Sequence, residues 1–377
     1  MLFFVLACLV PSCLVSALIT FVVRRQASSW GLVDQPNARK VHESPTPLGG
    51  GIGIWFGVVG TIAVAQLAAW FIHDRPALIA ELPEIIRPHI DGVLYRSGQL
   101  WAILGCATVL AIMGLVDDRK NVPWFPRLII QVVVVAVLVF AVDVQSTVFV
   151  PLPFVSQLLT MLWMLVLINS LNFLDNMDGL SSGIALIAAV LFATVMLMGE
   201  RWLVGGALLV LAGSISGFLF FHNWPPARIF MGDCGSYFLG VMLASMTVLG
   251  TYFDYEDQSS RHVILAPFCI LAIPLYDFCS VILIRIKQRR SPFHPDKSHF
   301  SHRLTDLGLS RPKAVLTIHL ATLTTGLGGL LLYFVTGWVG AILVCGLIVC
   351  VLAIIAILEM AGLRASSRLN AEESMHE

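Results

Sequence analysis

The sequence predicts an all-α, polytopic membrane protein of about 11 transmembrane helices, with the N-terminus outside and the C-terminus cytoplasmic. Three observations predict it. Of 377 residues, 58% are hydrophobic and only 12% charged, with mean hydropathy +0.87; a soluble domain carries about 25% charged residues. Apolar runs of the length that hydrocarbon demands, about 20 residues, recur along the whole chain. Lys and Arg then divide 18 to 5 between alternate connecting segments, and the cytoplasmic side of a membrane protein is the Lys/Arg-rich one.

The first run, 2–23, has no basic leader and is followed by Arg24 and Arg25. It therefore reads as a membrane helix and not as a cleaved signal. Run 49–72 starts at Gly49-Gly50-Gly51 after the inner segment 24–48. Run 98–116 ends on an acid pair, and 126–142 follows across a short basic turn. Runs 154–172 and 179–198 are separated only by 173–178, and 203–221 follows a break at Gly199. Run 235–251 comes after the inner segment 222–234, and 262–284 leads into the longest inner segment, 285–313, which is basic and rich in His and Pro. The last pair, 314–335 and 338–360, is split near Gly337. Residues 1–362 thus form one integral membrane domain whose motif loops face the cytoplasm, and 363–377 a polar cytoplasmic tail. Formal net charge is zero, which points to no nucleic-acid partner. The eight Cys form no CxxC pair and lie mostly in apolar runs, so they read as small buried hydrophobes, not a disulfide framework or zinc site.

Chemistry is concentrated on the inner segments. Asp117 and Asp118 end a span and are followed by Arg119, Lys120 and Arg127. Read structurally, they are an interfacial acid pair neutralised by arginine. Read functionally, two adjacent carboxylates cannot both ionise freely, which poises one near a metal or phosphate. Asp175 and Asp178 follow Asn169 and Asn172 at intervals of three, which predicts one polar stripe along a helix. Such a stripe can join helices, but two acids in it suit a hard cation such as Mg2+. Asp233, between Gly232 and Gly235, opens the span from 235 and is a candidate helix cap or metal ligand. Asn223 and Phe230 in the same segment are placed to contact and stack on a base, or simply to pack the loop. His299 and His302, with Arg303, suit phosphate or sugar oxygens better than zinc, since no third soft ligand is near; the alternative is a basic patch on anionic lipid. Lys40 and His42 precede the glycine run. No P-loop, G-x-S-x-G or GxGxxG is present.

In order, the motifs KVHESPTPLGG, GLVDDRK with Arg127 and Gln131, NSLNFLDNMDGL, FMGDCGS and DKSHFSHRL resemble the polyprenyl-phosphate N-acetylhexosamine-1-phosphate transferase superfamily from residue 38 to about 309. The branch it is most similar to comprises the bacterial undecaprenyl-phosphate N-acetylglucosamine-1-phosphate transferases. The resemblance implies transfer of a sugar 1-phosphate from a UDP-N-acetylhexosamine to a polyprenyl phosphate within the membrane lipid, releasing UMP, with Mg2+ as cofactor and Mn2+ as a substitute. It implies Asp178 and Asp233 as metal ligands and Asp117, beside Asp118 and Asp175, as the catalytic carboxylates. Lys40, His42, Arg127, Asn172, Asn223, Phe230, His299, His302 and Arg303 are the expected substrate contacts. A homodimer is compatible with this reading.

Two positions depart from the family pattern. Asn176 stands where N-x-x-N-x-x-D-G-x-D-G has its first Gly, and Ser301 stands in place of one His in a His-Ile-His-His cluster. The HHH-x-E cluster of the muramoyl-pentapeptide branch is absent, which argues against peptidoglycan precursor synthesis. An ion-coupled transporter is the rival class. It would place its acids near mid-bilayer, whereas these fall at predicted helix ends.

Overall fold

The computed structural model describes residues 1–35, 45–82, 84, 87, 90–145, 152–250, 258–291 and 298–376. It is a bundle of helices with one two-residue strand pair. In chain order the elements are α1 (Leu2–Gln26), β1 (Val33–Asp34), β2 (Thr46–Pro47), α2 (Gly50–His73), α3 (Pro76–Glu81), α4 (Ile90–Lys120), α5 (Trp124–Ala136) and α6 (Pro153–Phe173). There follow α7 (Leu180–Met198), α8 (Trp202–Phe218), α9 (Gly232–Leu249), α10 (Ala266–Ile270), α11 (Ala272–Lys287), α12 (Phe300–Asp306), α13 (Arg311–Leu331) and α14 (Gly337–His376). Helices α5 and α8 each continue through a wider π turn, Val137–Ala141 and Leu219–Asn223.

Among the described residues, ten helices are long and apolar enough to cross a membrane. Arg261–Ile270 and Ala272–Lys287, bent by 64° at their junction, make an eleventh when taken together. This is a polytopic all-α membrane protein, as the composition predicts. One expectation needs correction. Helix α6 stops at Phe173, so Asn169 and Asn172 are helical while Asp175 and Asp178 lie in the turn to α7; the single helical stripe does not form, because two consecutive antiparallel spans must reverse there. The polar tail continues α14 as helix to His376, as its Ala, Glu, Arg and Leu content favours.

The core centres on α9, of whose apolar window 83% is buried, against 11% for α1 and 17% for α14. Small residues let its neighbours approach. A Cβ on Gly114 of α4 would strike the backbone of Asp233, and one on Gly51 of α2 the backbone of Gly235. β1 and β2 pair antiparallel, Val33 opposite Pro47 and Asp34 opposite Thr46. β2 and the start of α2 are bonded to the entry of α9: Phe230 N–H donates to Pro47 O at 2.9 Å, and Gly50 and Gly51 N–H donate to Phe230 O and Met231 O at 2.9 and 3.0 Å. The start of α9, the start of α2 and the strand pair are thus one unit at one end of the bundle.

Candidate active site

At that end the carboxylates converge. Asp117 and Asp118 sit in the last turn of α4, Arg127 in the first turn of α5, Asn172 in the last turn of α6 and Asp233 in the first turn of α9. Arg127 is the centre. Its Nη1 donates to Asp117 Oδ2, to Asp233 Oδ2 at 3.0 Å and to the Tyr237 hydroxyl at 3.3 Å. Asn172 Nδ2 holds the other Asp233 oxygen at 2.8 Å and Ser236 Oγ at 3.0 Å. Asp117 Oδ1 accepts the Val122 N–H at 2.6 Å, so Asp117 is buried and fully engaged.

Asp118 has a different job. Its two oxygens accept the N–H groups of Asp233 and Cys234 at 2.8 and 3.2 Å. These are amides of a first helical turn, which have no intrahelical acceptor. A carboxylate from α4 therefore caps α9. The approach requires Gly232, which has φ of 75° and whose Cβ would meet Asp118 Oδ1 at 2.8 Å and its other oxygen as closely; a side chain is excluded both by the left-handed backbone and by the carboxylate.

Asp175 joins the same group from the turn after α6. Burial first, then the Asp118 charge, push its carboxyl up to about 8; the Gly232 amide opposes this and Asp178 adds to it. Asp178 itself accepts the Ala227 N–H at 2.9 Å, tying the α6–α7 turn to the segment before α9. Asp34 of β1 also stands near Asp118.

The remaining expected contacts fall into three groups. Lys40 and His42 lie outside the described residues. Asn223 is buried, its Oδ1 accepting Gly179 N–H at 2.9 Å and Ser182 Oγ–H at 3.1 Å, its Nδ2 donating to Ile229 O at 3.1 Å; a direct uridine contact would have to break that set. Phe230 packs against Ala27, Leu32 and Leu48. Arg303 is buried, and each of its three nitrogens is engaged: Nε donates to Glu359 Oε1 at 3.0 Å, Nη1 to Ser298 O at 2.8 Å and Nη2 to Ser280 Oγ at 2.9 Å. It joins α12 to α11 and α14.

His299 lies against the end of α6, with His302 beside it. The His299 ring is edge-on to Phe173 at 5.6 Å and 6.4 Å from the His302 ring. Its Nδ1 pairs with Asp277 Oδ2 at 3.0 Å, while Asp277 Oδ1 accepts Phe300 N–H at 2.6 Å. Asp277 is fully buried in α11, and sequence reasoning missed it, as it missed Glu359. Each is a lone acid inside an apolar run, and that unexplained cost was the available signal.

The oxygen-rich set fits a divalent cation. Asp117 and Asp233 pair with the Arg127 guanidinium, Asp118 holds the Asp233 amide beside them, and burial and then the Asp118 charge raise the Asp175 carboxyl. Among the described residues no three His, Cys, Asp or Glu side chains stand close enough to chelate an ion alone.

Comparison with known proteins gives a concordant picture. The glycosyl transferase family 4 profile matches residues 100–251, which carry all four carboxylates. A Bacillus subtilis protein named probable undecaprenyl-phosphate N-acetylglucosaminyl 1-phosphate transferase is 31% identical over 90% of this chain and 88% of its own. The decaprenyl-phosphate N-acetylglucosaminephosphotransferase of Mycobacterium tuberculosis is 33% identical over 81% of this chain and 78% of its own. The undecaprenyl-phosphate alpha-N-acetylglucosaminyl 1-phosphate transferase of Escherichia coli K12 is 28% identical over 88% and 85%.

Proposed function

Because the chain belongs to glycosyl transferase family 4, we propose that it transfers N-acetylglucosamine 1-phosphate from UDP-N-acetylglucosamine to a polyprenyl phosphate, releasing UMP. An oxygen of the lipid phosphate attacks the β-phosphorus. The bond from that phosphorus to the bridging oxygen breaks, and UMP leaves with the electron pair. The product is a polyprenyl diphosphate sugar, the first membrane intermediate of a cell-surface polysaccharide.

The observation that carries this reading is the convergence at one end of the bundle of Asp117 and Asp233 on Arg127, with Asp118 on the Asp233 amide and Asp175 beside Asp118. Phosphoryl transfer between two anions is mainly positioning and charge stabilisation, and this is where both are available. Among the described residues Arg127 Nε is buried with no acceptor, leaving a donor for a phosphate oxygen. Asp117, fixed by Arg127 and the Val122 amide, orients the lipid phosphate; that group is already largely ionised near neutrality, with a second pKa of roughly 6, so a strong base is not obligatory. His299, its Nδ1 engaged by Asp277, keeps Nε2 for a sugar or phosphate oxygen. Asp178 and Asp233 would hold Mg2+, or Mn2+ in its place, and the ion would screen the two phosphates from each other and polarise the phosphorus under attack.

The acids lie at helix ends, which supports the enzyme over an ion-coupled carrier. The Lys/Arg division supports a cytoplasmic site in the inner membrane. The test is UMP release by the purified protein with Mg2+, polyprenyl phosphate and a panel of UDP-sugars. Release with UDP-N-acetylglucosamine is expected; none with any donor would sink the reading. Sedimentation in detergent tests the homodimer.

A further inference from the structure

The two positions at which the sequence departs from the family pattern touch each other. Ser301 Oγ donates to Asn176 Oδ1 at 2.6 Å across 125 positions of chain. Ser301 has no exposed surface. Asn176 Nδ2 donates to Phe173 O at 2.8 Å, which orients the amide so that its oxygen faces α12. Asn176 is not among the residues with positive φ, so the backbone of the turn does not require glycine there.

Volume then links the two sites. Ser301 is enclosed, and the Asn176 amide already stands at hydrogen-bonding distance from its hydroxyl. An imidazole at 301 has no space unless the side chain at 176 is removed. Conversely, a glycine at 176 leaves the Ser301 hydroxyl without its acceptor and opens the space that an imidazole fills. A large residue in the turn goes with a small one in the helix, and the reverse pairing is equally self-consistent.

We propose that Asn176 and Ser301 form one coupled positioning pair. It docks α12 on the turn that carries Asp175 and Asp178, and so sets His299 and His302 against the carboxylates in a chain that has two histidines there instead of three. The far side of α12 is anchored separately, by Asp277 to His299 and Phe300 and by Glu359 to Arg303, so the pair controls the side of the helix that meets the acidic turn. The proposal rests on the transferase reading of the same site.

The test is a double-mutant cycle, which isolates the coupling of two residues in contact. Wild type, Asn176→Gly, Ser301→His and the double variant are compared by kcat and KM for UDP-N-acetylglucosamine and by melting temperature. Each single variant is expected to lose about tenfold or more in kcat/KM, mostly in kcat because neither side chain is assigned to the donor, and the double variant to return to within about threefold of wild type. Ser301→Ala, which removes the bond without adding bulk, covers the case in which Ser301→His melts too low to assay; it is expected to lose kcat while keeping its melting temperature. Losses that multiply in the double variant, or single variants that match wild type, overturn the pair. A wild-type protein that releases no UMP from any donor refutes the function instead, and the same cycle in melting temperature, which needs no substrate, then decides the pair: recovery in the double variant supports it and additivity removes it.

Discussion

Arg127 bridges Asp117 and Asp233, so two of the four carboxylates are neutralised by the protein and two are not. Asp233→Asn and Asp178→Asn are each expected to lower UMP release by more than about a hundredfold with the protein still folded, because each removes a charged ligand of the proposed ion. Near-normal turnover at saturating Mg2+, in protein that still elutes as wild type on size exclusion, rejects the ligand assignment. Asp175 gives a pH signature. Its carboxyl is raised from 3.8 to about 8, so the folded state binds a proton that the unfolded state has lost between those values. The stability it contributes is complete below pH 3.8 and falls as pH rises to about 8. In EDTA the melting temperature should decline across that window, less steeply in Asp175→Asn and less steeply with Mg2+ in place of the proton. An identical slope in wild type and Asp175→Asn rejects this. The five motif acids were legible in the sequence because each sits at the end of an apolar run, three of them beside glycine or asparagine. Their separate duties were not: nothing in GLVDDRK tells that Asp117 meets a guanidinium and Asp118 caps a distant helix, since adjacent residues of one helix face different neighbours.

The elements explain why Arg303 reads one way as sequence and another as structure. In DKSHFSHRL it resembles a substrate-binding cation, but its partner Glu359 is 56 positions away in the last span, and no local pattern connects them. Both side chains are nearly enclosed, and removing one member of a buried pair strands the other at a cost of about 3–5 kcal/mol. Arg303→Ala and Glu359→Ala should therefore each lower the melting temperature, with the double variant costing less than their sum, while Arg289→Ala leaves it unchanged. Equal behaviour of Arg303→Ala and Arg289→Ala rejects the latch. Helix spacing is just as exacting at α4 and α9. Gly114→Val sets a branched side chain against the Asp233 backbone; overpacking costs typically 1–3 kcal/mol, and here it also displaces an active-site residue. Loss of UMP release is expected even at temperatures where the variant remains folded, and activity within twofold of wild type would show that the two helices part freely. Apolar length alone located these spans to within a few residues. The exceptions were the break between Ile270 and Ala272 and the start of α4, which begins at Ile90, eight residues before the apolar run.

For the whole molecule, the Lys/Arg asymmetry predicts that all the motif loops share the cytoplasmic side. A single Cys introduced beside Asp117 or Asp233 in a Cys-free background should resist an impermeant reagent added outside intact cells and react after permeabilisation. Labelling from outside would refute the orientation. The bundle brings the site together from α4, α5, α6 and α9, all before residue 250, whereas the histidines arrive on α12 from the other half of the chain. That division has a practical consequence. A gene cut between α9 and α10 and expressed as two polypeptides leaves every one of the gathered carboxylates on the first product and both histidines on the second. Catalysis would then report whether two membrane-embedded fragments have found each other, making the protein a natural starting point for a split reporter of helix association in lipid.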